Sequence, residues 1–289
     1  MIQNKAIQGY TLAFITIIIW SGWMIISRMG LLSGLSAFDV VFLRYTASGL
    51  IMLPIALKNL HLITPKNRNA VAIMTLGAGV PYLFLCNLGF AAAPASHGIL
   101  TPSTMPLWVG IGSYFILKEK ISNIRLLGYL FILSGAIFKI VFSEDVFSST
   151  DLFFIGASLC YGIYTILSKI HSNLPPLTLV AFVGVGNMIL LAIPYGIYQI
   201  INPHELPLVT TIEQIIYQGI ITGIIALIAY NKAIQLIGAA QTSSFAALAP
   251  VMVTLLAVPL LGEIPTLNDW IFVVLMTIGV FLASGVIKK

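Results

Sequence analysis

The hydrophobic positions of the chain are grouped into ten long stretches that are separated by short polar connections. An α-helix needs about 20 apolar residues to cross the hydrocarbon core of a bilayer, and each stretch approaches that length. Polar connections such as residues 58–69 and 202–213 are easy to recognise between them. The pattern predicts ten spans, at residues 10–29, 38–57, 70–91, 95–117, 124–142, 151–169, 176–200, 213–235, 240–261 and 268–286.

The composition supports a chain that is embedded in a membrane almost throughout. Hydrophobic residues make up 59% of the 289 positions and charged residues only 8%, whereas soluble domains carry about 25% charged residues. No connection is long enough for a separate enzymatic or regulatory domain. Cys86 and Cys160 lie inside apolar stretches without metal-ligand spacing, so neither a disulfide framework, a metal nor another cofactor is expected.

The basic residues predict the orientation of the spans. With the N-terminus in the cytoplasm, eleven of the 14 Lys and Arg residues fall at cytoplasmic ends, and only Arg28, Arg44 and Lys139 fall on the opposite side. This bias predicts that both termini are cytoplasmic, and it explains the net charge of +5 without a nucleic-acid partner. Arg44 is the deepest fixed charge, and we expect its side chain to snorkel to the outer surface.

The second half of the chain repeats the first at an offset of about 144 residues. The offset superimposes a Pro, a Glu and a Gly, and it also places Tyr164 on Trp20 and Asn231 on Asn87. The triplets are Pro106, Glu119, Gly135 and Pro250, Glu263, Gly279. We therefore predict two repeats, residues 1–145 and 146–289. Each has five spans, an odd number, so the second enters the bilayer inverted, an arrangement that places a site at mid-depth between the halves.

The ends of spans 4 and 9 carry a family resemblance. They read Leu117-Lys118-Glu119 and Leu261-Gly262-Glu263, and a Pro precedes each in the same span. With the small residue in register in spans 5 and 10, the chain resembles the EamA-type members of the drug/metabolite transporter superfamily. The second repeat has the full Leu-Gly-Glu signature, whereas Lys118 replaces the usual Gly in the first. The resemblance implies ten spans in inverted repeats and a cavity lined by spans 1, 3, 4, 6, 8 and 9.

Helical spacing places polar and aromatic side chains on faces that could line this cavity. His97, Thr101, Thr104 and Trp108 form one stripe in span 4, and Gln241 begins the matching stripe in span 9. Ser and Thr often bond their own helix, and His97 could be a packed or interfacial histidine as readily as a ligand for substrate or protons. The candidate substrate-binding residues are Trp20, Tyr82, His97, Thr101, Thr104, Trp108, Tyr161, Tyr164, Tyr230, Gln241 and Ser244.

These features predict a secondary transporter in a bacterial-type inner membrane. The family moves amino acids, nucleotide precursors, quaternary amines and drugs, and we expect export of small metabolites such as amino acids by alternating access. The alternative is a flippase or carrier of amphipathic, lipid-like or quaternary-amine substrates. An intramembrane enzyme is disfavoured because the sequence has no His-Glu-x-x-His motif and its histidines are scattered. The expected partners are a small-molecule substrate and membrane lipid, and the chain is expected to be a monomer or weak homodimer.

Overall fold

Short turns join a series of helices, and no strand occurs among the described residues. The computed structural model describes residues 2–92, 98, 100–142, 149–253, 255 and 266–284. The α-helices are α1 Ile2–Leu32, α2 Ala37–Lys58, α3 Arg68–Gly77, α4 Val80–Ala92, α5 Leu100–Phe115, α6 Asn123–Phe142, α7 Asp151–Ile170, α8 Pro176–Ile201, α9 Leu208–Gln214, α10 Leu227–Ile237, α11 Ala239–Ala246 and α12 Leu267–Ala283. A 3₁₀ turn covers Leu60–Leu62, and a π-helical segment, Ile215–Ala226, joins α9 to α10.

Seven helices within the described ranges are long and apolar enough to cross a membrane. They are Asn4–Leu32, Ala37–Lys58, Arg68–Ala92, Asn123–Phe142, Asp151–Ile170, Pro176–Ile201 and Leu208–Ile237. The helices at Leu100–Phe115, Ala239–Val253 and Leu267–Ala283 are shorter over the same ranges. The all-helical class is confirmed. The count of ten spans stays a prediction, since the first residues predicted for span 4 and the last predicted for span 9 lie outside the described residues.

Helices from the two halves pack against each other in related pairs. α6 lies along α12, and α2 lies along α8. α1 packs on α10 and the π segment, while α7 packs on α3 and α4. The last two contacts are equivalent under the 144-residue offset. α1 corresponds to α7, and span 8, which contains the π segment and α10, corresponds to span 3, which contains α3 and α4. These two contacts are therefore related by the same offset as the predicted sequence repeat.

The crossing of α6 and α12 depends on a pair of glycines. A Cβ on Gly128 would lie 2.7 Å from the Gly279 carbonyl oxygen, and a Cβ on Gly279 would lie 3.0 Å from that of Gly128. The sequence offset pairs Gly279 with Gly135 instead. Gly135 also packs on α12, where a Cβ would lie 3.0 Å from the sulfur of Met276, but the backbones approach most closely at Gly128.

Predicted span 3 is broken into α3 and α4, and a distant asparagine compensates for the break. Asn187 of α8 is fully buried and accepts a hydrogen bond from the Val80 N–H at 2.9 Å. Its amide also donates to the Thr75 carbonyl at 2.8 Å. The break coincides with Gly79, where a Cβ would lie 2.3 Å from Asn187 Oδ1, and with Pro81, which has no N–H to continue the helix.

The turn after α5 contains the only non-glycine residue with positive φ among those described. Lys118 has φ 57°, and the following Glu119 N–H donates to the Ser113 carbonyl at 3.0 Å. This bond closes seven residues, one more than the 6→1 bond of a Schellman motif, and like that motif it follows a left-handed position that is usually occupied by Gly. The structure thus explains why the family signature has Gly here. Gly262 and Glu263, the corresponding residues of the second repeat, lie outside the described residues.

The start of α2 is fixed by a buried carboxylate. Asp39 forms a capping box with Ser36 and accepts hydrogen bonds from the Tyr195 hydroxyl at 2.7 Å and from Gln199 Nε2 at 3.3 Å. His204, in the connection after α8, lies with Nε2 2.9 Å from Asp39 Oδ2. The cluster ties the start of α2 to the end of α8 and to the connection that follows it.

Candidate functional site

A cavity lies where the two halves of the chain meet, among α1, α4, α5, α7 and the helical residues from α11 onward. The space between these helices, open solvent included, is about 320 Å³, and only a small part of it is wide enough for a water molecule. Its lining consists of Trp20, Trp23, Met24, Tyr82, Thr101, Pro102, Met105, Tyr161, Ala246 and Ala249. Four predicted site residues, Trp20, Tyr82, Thr101 and Tyr161, are among them.

Aromatic rings form the frame of the cavity. The Tyr161 ring centroid lies 5.3 Å from that of Trp20, edge to face, and 4.8 Å from that of Tyr82. Trp23 stacks on Tyr82 at 6.1 Å, and Tyr230 lies behind Trp20 at 5.0 Å. These separations fall in the range in which aromatic pairs attract each other beyond simple burial. The frame is therefore pre-formed. Tyr230 is outside the lining and packs against Trp20 from behind.

Thr104 and Trp108 of the predicted stripe lie at the seam between α5 and α7, outside the cavity lining. Trp108 Nε1 donates to the Ser158 hydroxyl at 2.9 Å, and Thr104 Oγ1 lies 2.6 Å from the same oxygen. Thr101 is in the lining, but its hydroxyl donates to the Phe154 carbonyl at 3.1 Å. The polar stripe of α5 thus bonds mainly to α7.

The remaining predicted residues lie at other places. Tyr164 is fully buried, and its hydroxyl accepts a hydrogen bond from Asn231. Ser244 donates to the Ala240 carbonyl at 2.8 Å within α11. Gln241, with its amide oriented to satisfy its neighbours, accepts from Arg125 Nη2 at 3.3 Å. His97 lies outside the described residues.

The lining also contains residues that the sequence did not single out as site residues. Trp23 shares a helical face with Trp20, so spacing along α1 was the available signal. Met105 and Pro102 flank the predicted Thr101 without any polar group of their own. Ala246 and Ala249 leave room opposite the rings. Small apolar residues carry no chemical signature, so only the packing shows that they border a cavity.

Two hydrogen-bond closures lie at opposite ends of the helices around the cavity. At the predicted outer end, Arg28 of α1 donates through Nη1 to the Phe90 carbonyl of α4. At the predicted cytoplasmic end, Gln235 of α10 donates to the carbonyls of Ser172 at 2.9 Å and Leu174 at 3.1 Å. The repeat relates spans 1 and 3 to spans 6 and 8, so these closures correspond to each other.

The cavity lining supplies aromatic rings and hydrocarbon, with hydroxyl groups from Thr101, Tyr82 and Tyr161. No group of three His, Cys, Asp or Glu in the described part of the chain could hold a metal ion. Rings and methyl groups favour an apolar or aromatic portion of a solute, and the faces of Trp20 and Trp23 could attract a cation.

Comparison with known proteins decides the family. The profile of the EamA-like transporter family matches the chain twice, at residues 7–141 and 148–285. The chain belongs to the EamA-like transporter family. It is 25% identical over 302 aligned positions to an uncharacterized transporter of Clostridium kluyveri, covering 98% of this chain and 94% of that protein. It is 26% identical over 233 positions to the uncharacterized transporter YyaM of Bacillus subtilis, covering 76% and 75% of the two chains.

A solved crystal structure of another protein has the same fold. It aligns with a TM-score of 0.75 and 18% identity, covering 96% of this chain and 98% of that chain. At that identity the likeness concerns the fold alone. The EamA-like match, the two uncharacterized transporters and the apolar helices identify the chain as a multi-pass membrane transporter.

Proposed function

We propose that the chain is a secondary transporter that moves small organic solutes, such as amino acids, out of the cell across a bacterial inner membrane. In this proposal ten spans form two inverted repeats, residues 1–145 and 146–289, with both termini in the cytoplasm. The observation that carries it is the cavity, because α1, α4 and α5 of one half and α7 and α11 of the other each contribute to its lining. Motion of one half against the other would change access to such a cavity.

The two closures support alternating access. Release of Arg28 from the Phe90 carbonyl would open the predicted outer end, and release of Gln235 from Ser172 and Leu174 would open the cytoplasmic end. Each closure requires only a few hydrogen bonds, so exchange between the two arrangements is energetically accessible. The repeat makes the two openings equivalent movements of equivalent helices.

Contacts between distant residues agree with the predicted topology. Asp39 and His204 are both predicted at the outer surface, and they lie 2.9 Å apart. Arg125 and Gln241 are both predicted at the cytoplasmic ends of spans, and they also contact each other. An assignment with the wrong number of spans between these residues would separate them by the thickness of the bilayer.

Reconstitution of the purified protein into liposomes tests the function. Vesicles preloaded with unlabelled amino acids should accumulate a labelled member of the transported group by counterflow, without ATP. Trp20→Ala should abolish most of this uptake, because the ring forms part of the cavity frame. Trp270→Ala is the control, since that ring is 49% exposed on the surface of α12.

Trp108→Ala separates the cavity from the seam beside it. We expect it to lower the melting temperature through loss of the bond to Ser158, while the folded protein keeps its substrate affinity. A larger loss of affinity in Trp108→Ala than in Trp20→Ala would move the binding site to the seam between α5 and α7. Absence of counterflow with every amino acid and related metabolite tried would contradict the proposed function.

The apolar lining favours one alternative, a flippase or carrier of amphipathic, lipid-like or quaternary-amine substrates. Among the residues that border the cavity, hydroxyl groups come only from Thr101, Tyr82 and Tyr161. Liposomes that contain fluorescent short-chain lipids separate the two functions. Protein-dependent movement of lipid between leaflets, without counterflow of water-soluble solutes, would favour the flippase.

A further inference from the structure

The most unusual charge in the molecule is Arg44, which is buried in α2. The side chain is only 4% exposed, although the sequence favoured a position at the outer surface. Nη1 donates to Gln218 Oε1 at 3.3 Å, and Nε is enclosed without a hydrogen-bond partner. The carboxylate of Asp39, five residues earlier in α2, is bound to Tyr195 and His204 instead.

Arg44 is not part of the cavity lining, but hydrogen bonds connect it to the helix that carries Trp20 and Trp23. Gln218 links it to α1, because its Nε2 donates to the Ser27 hydroxyl at 2.8 Å. Ser27 is four residues after Trp23, on the same face of α1 and about 6 Å further along the axis. Ser27 therefore lies about one helical turn beyond the rings, toward the predicted outer surface. Arg44 and Gln218 are joined to α1 through Ser27, and we call these three residues the arginine cluster.

The backbone of span 8 is shaped to bring Gln218 against Arg44. Gln218 belongs to the π segment, and π-helical turns are frequent at functional sites. A Cβ on the neighbouring Gly219 would lie 2.5 Å from the Cβ of Ala47, so α2 and the π segment approach each other closely here. A regular helix without this glycine would hold Gln218 farther from α2.

The energetics of the arginine cluster call for a negative partner. A guanidinium stays charged at any physiological pH, and burying a charge without a counter-ion costs several kcal/mol. Ionisable residues inside a membrane protein usually have a function for this reason. The bond to Gln218 uses one of five N–H donors, and the Tyr45 ring centroid lies 5.9 Å from the guanidinium carbon. Neither group carries a negative charge, and Arg44 has no ion-pair partner among the residues that the structure describes.

We propose that Arg44 is the anion subsite of the transport cavity and binds a carboxylate of the solute. The inference rests on the proposed transport function and narrows its substrate class to compounds with an apolar or aromatic portion and a carboxylate. The rings hold the first portion, and the guanidinium, with its planar fork of donors, holds the second. Organic cations that lack a carboxylate are excluded, because Arg44 repels them from the same cavity.

The test measures thermal stability of the purified protein while sodium benzoate replaces sodium chloride at constant ionic strength. Benzamide, which has the same ring without the charge, is the matched probe. We expect benzoate to raise the melting temperature of the wild type well above the effect of benzamide. Arg44→Gln should lower benzoate affinity by about tenfold or more. Arg68→Gln removes an exposed arginine at the start of α3 and should leave the response unchanged.

Arg44→Lys keeps the positive charge and covers the case in which Arg44→Gln fails to fold. Lysine lacks the fork of the guanidinium, so its benzoate affinity should fall several-fold but stay above that for benzamide. Equal benzoate affinity in the wild type and either Arg44 variant would overturn the proposal. So would the absence of any effect of benzoate beyond that of chloride, since a resident inorganic anion would then satisfy Arg44.

Different experimental results would contradict the proposed anion subsite and the proposed transport function. A wild-type protein that binds benzoate through Arg44 but moves no solute in liposomes would keep the subsite and reject the transporter. Counterflow that is equally fast for carboxylates and for their uncharged amides, and is unaffected in Arg44→Gln, would keep the transporter and reject the subsite.

Discussion

Replacing Asn187 by Leu should destabilise the protein more than the same replacement at any other buried asparagine. The side chain spans the break between α3 and α4, where it accepts from the Val80 N–H and donates to the Thr75 carbonyl. Leu has the same branching at Cγ, although it is larger, and makes neither bond. Two main-chain groups would then be buried without partners and without access to water.

The size of the effect follows from those two groups. Each buried main-chain group without a partner costs about 1–3 kcal/mol, so the two groups together should lower the unfolding free energy by about 2–6 kcal/mol. Asn87→Leu is the matched control. Asn87 is equally buried, but its amide donates only to the Leu83 carbonyl of its own helix, and its Oδ1 has no partner. Removing that oxygen should leave stability unchanged or slightly increased.

Unfolding in mixed micelles with increasing dodecyl sulfate, followed by circular dichroism, measures both variants against the wild type. Side-chain hydrogen bonds between membrane helices contribute only about 0.6 kcal/mol on average, because the separated helices find other partners. A loss of that size for Asn187→Leu, or equal losses in the two variants, would refute the view that Asn187 replaces missing main-chain bonds.

Three further predictions concern the ends of the helices. Lys118→Gly should stabilise the protein by up to about 1 kcal/mol in the same unfolding assay, because glycine adopts the left-handed conformation without strain. A hydrogen bond to the Asn202 carbonyl and the contact with Asp39 raise the pKa of His204. The resulting stabilisation is complete below the ordinary imidazole pKa of about 6.5 and is lost as the pH rises through the folded-state value, so the melting temperature should fall over that range in the wild type but not in His204→Gln. Single cysteines that replace Glu119 and Glu263 should react with an impermeant reagent from the cytoplasm and from outside, respectively, and labelling of both from one side would contradict the inverted repeat.

The helices could be predicted from the sequence because a bilayer demands long apolar runs. The predicted bounds 38–57 and 176–200 differ from α2 and α8 by one residue at most at each end. The break in span 3 was less predictable. Gly79 and Pro81 are visible in the sequence, but the compensating Asn187 is more than 100 positions away. Only the packing of α8 on α2 and α3 brings it there.

The site could be predicted in part, since a helical stripe does not reveal which neighbour it faces. Thr101 and Trp108 share a stripe in α5, yet Thr101 borders the cavity and Trp108 bonds α7. Similarly, the offset superimposes Tyr164 on Trp20, whereas Tyr161 is the ring that meets Trp20 across the cavity. In each case the position of a neighbouring helix determines which side chain borders the cavity. The residues of a single span do not indicate that position.

The unlike closures around the cavity have a consequence for the resting protein. If the halves were identical copies, the inward-open and outward-open arrangements would be superimposable and equally populated in the absence of a gradient. Arg28 closes one end with one bond from a charged donor, whereas Gln235 closes the other with two bonds from a neutral amide. Hydrogen bonds from charged groups are about twice as strong as neutral ones, so the two closures are similar in strength and the unloaded equilibrium stays near balance. Duplicated halves can therefore diverge in sequence and still keep both orientations of a carrier accessible.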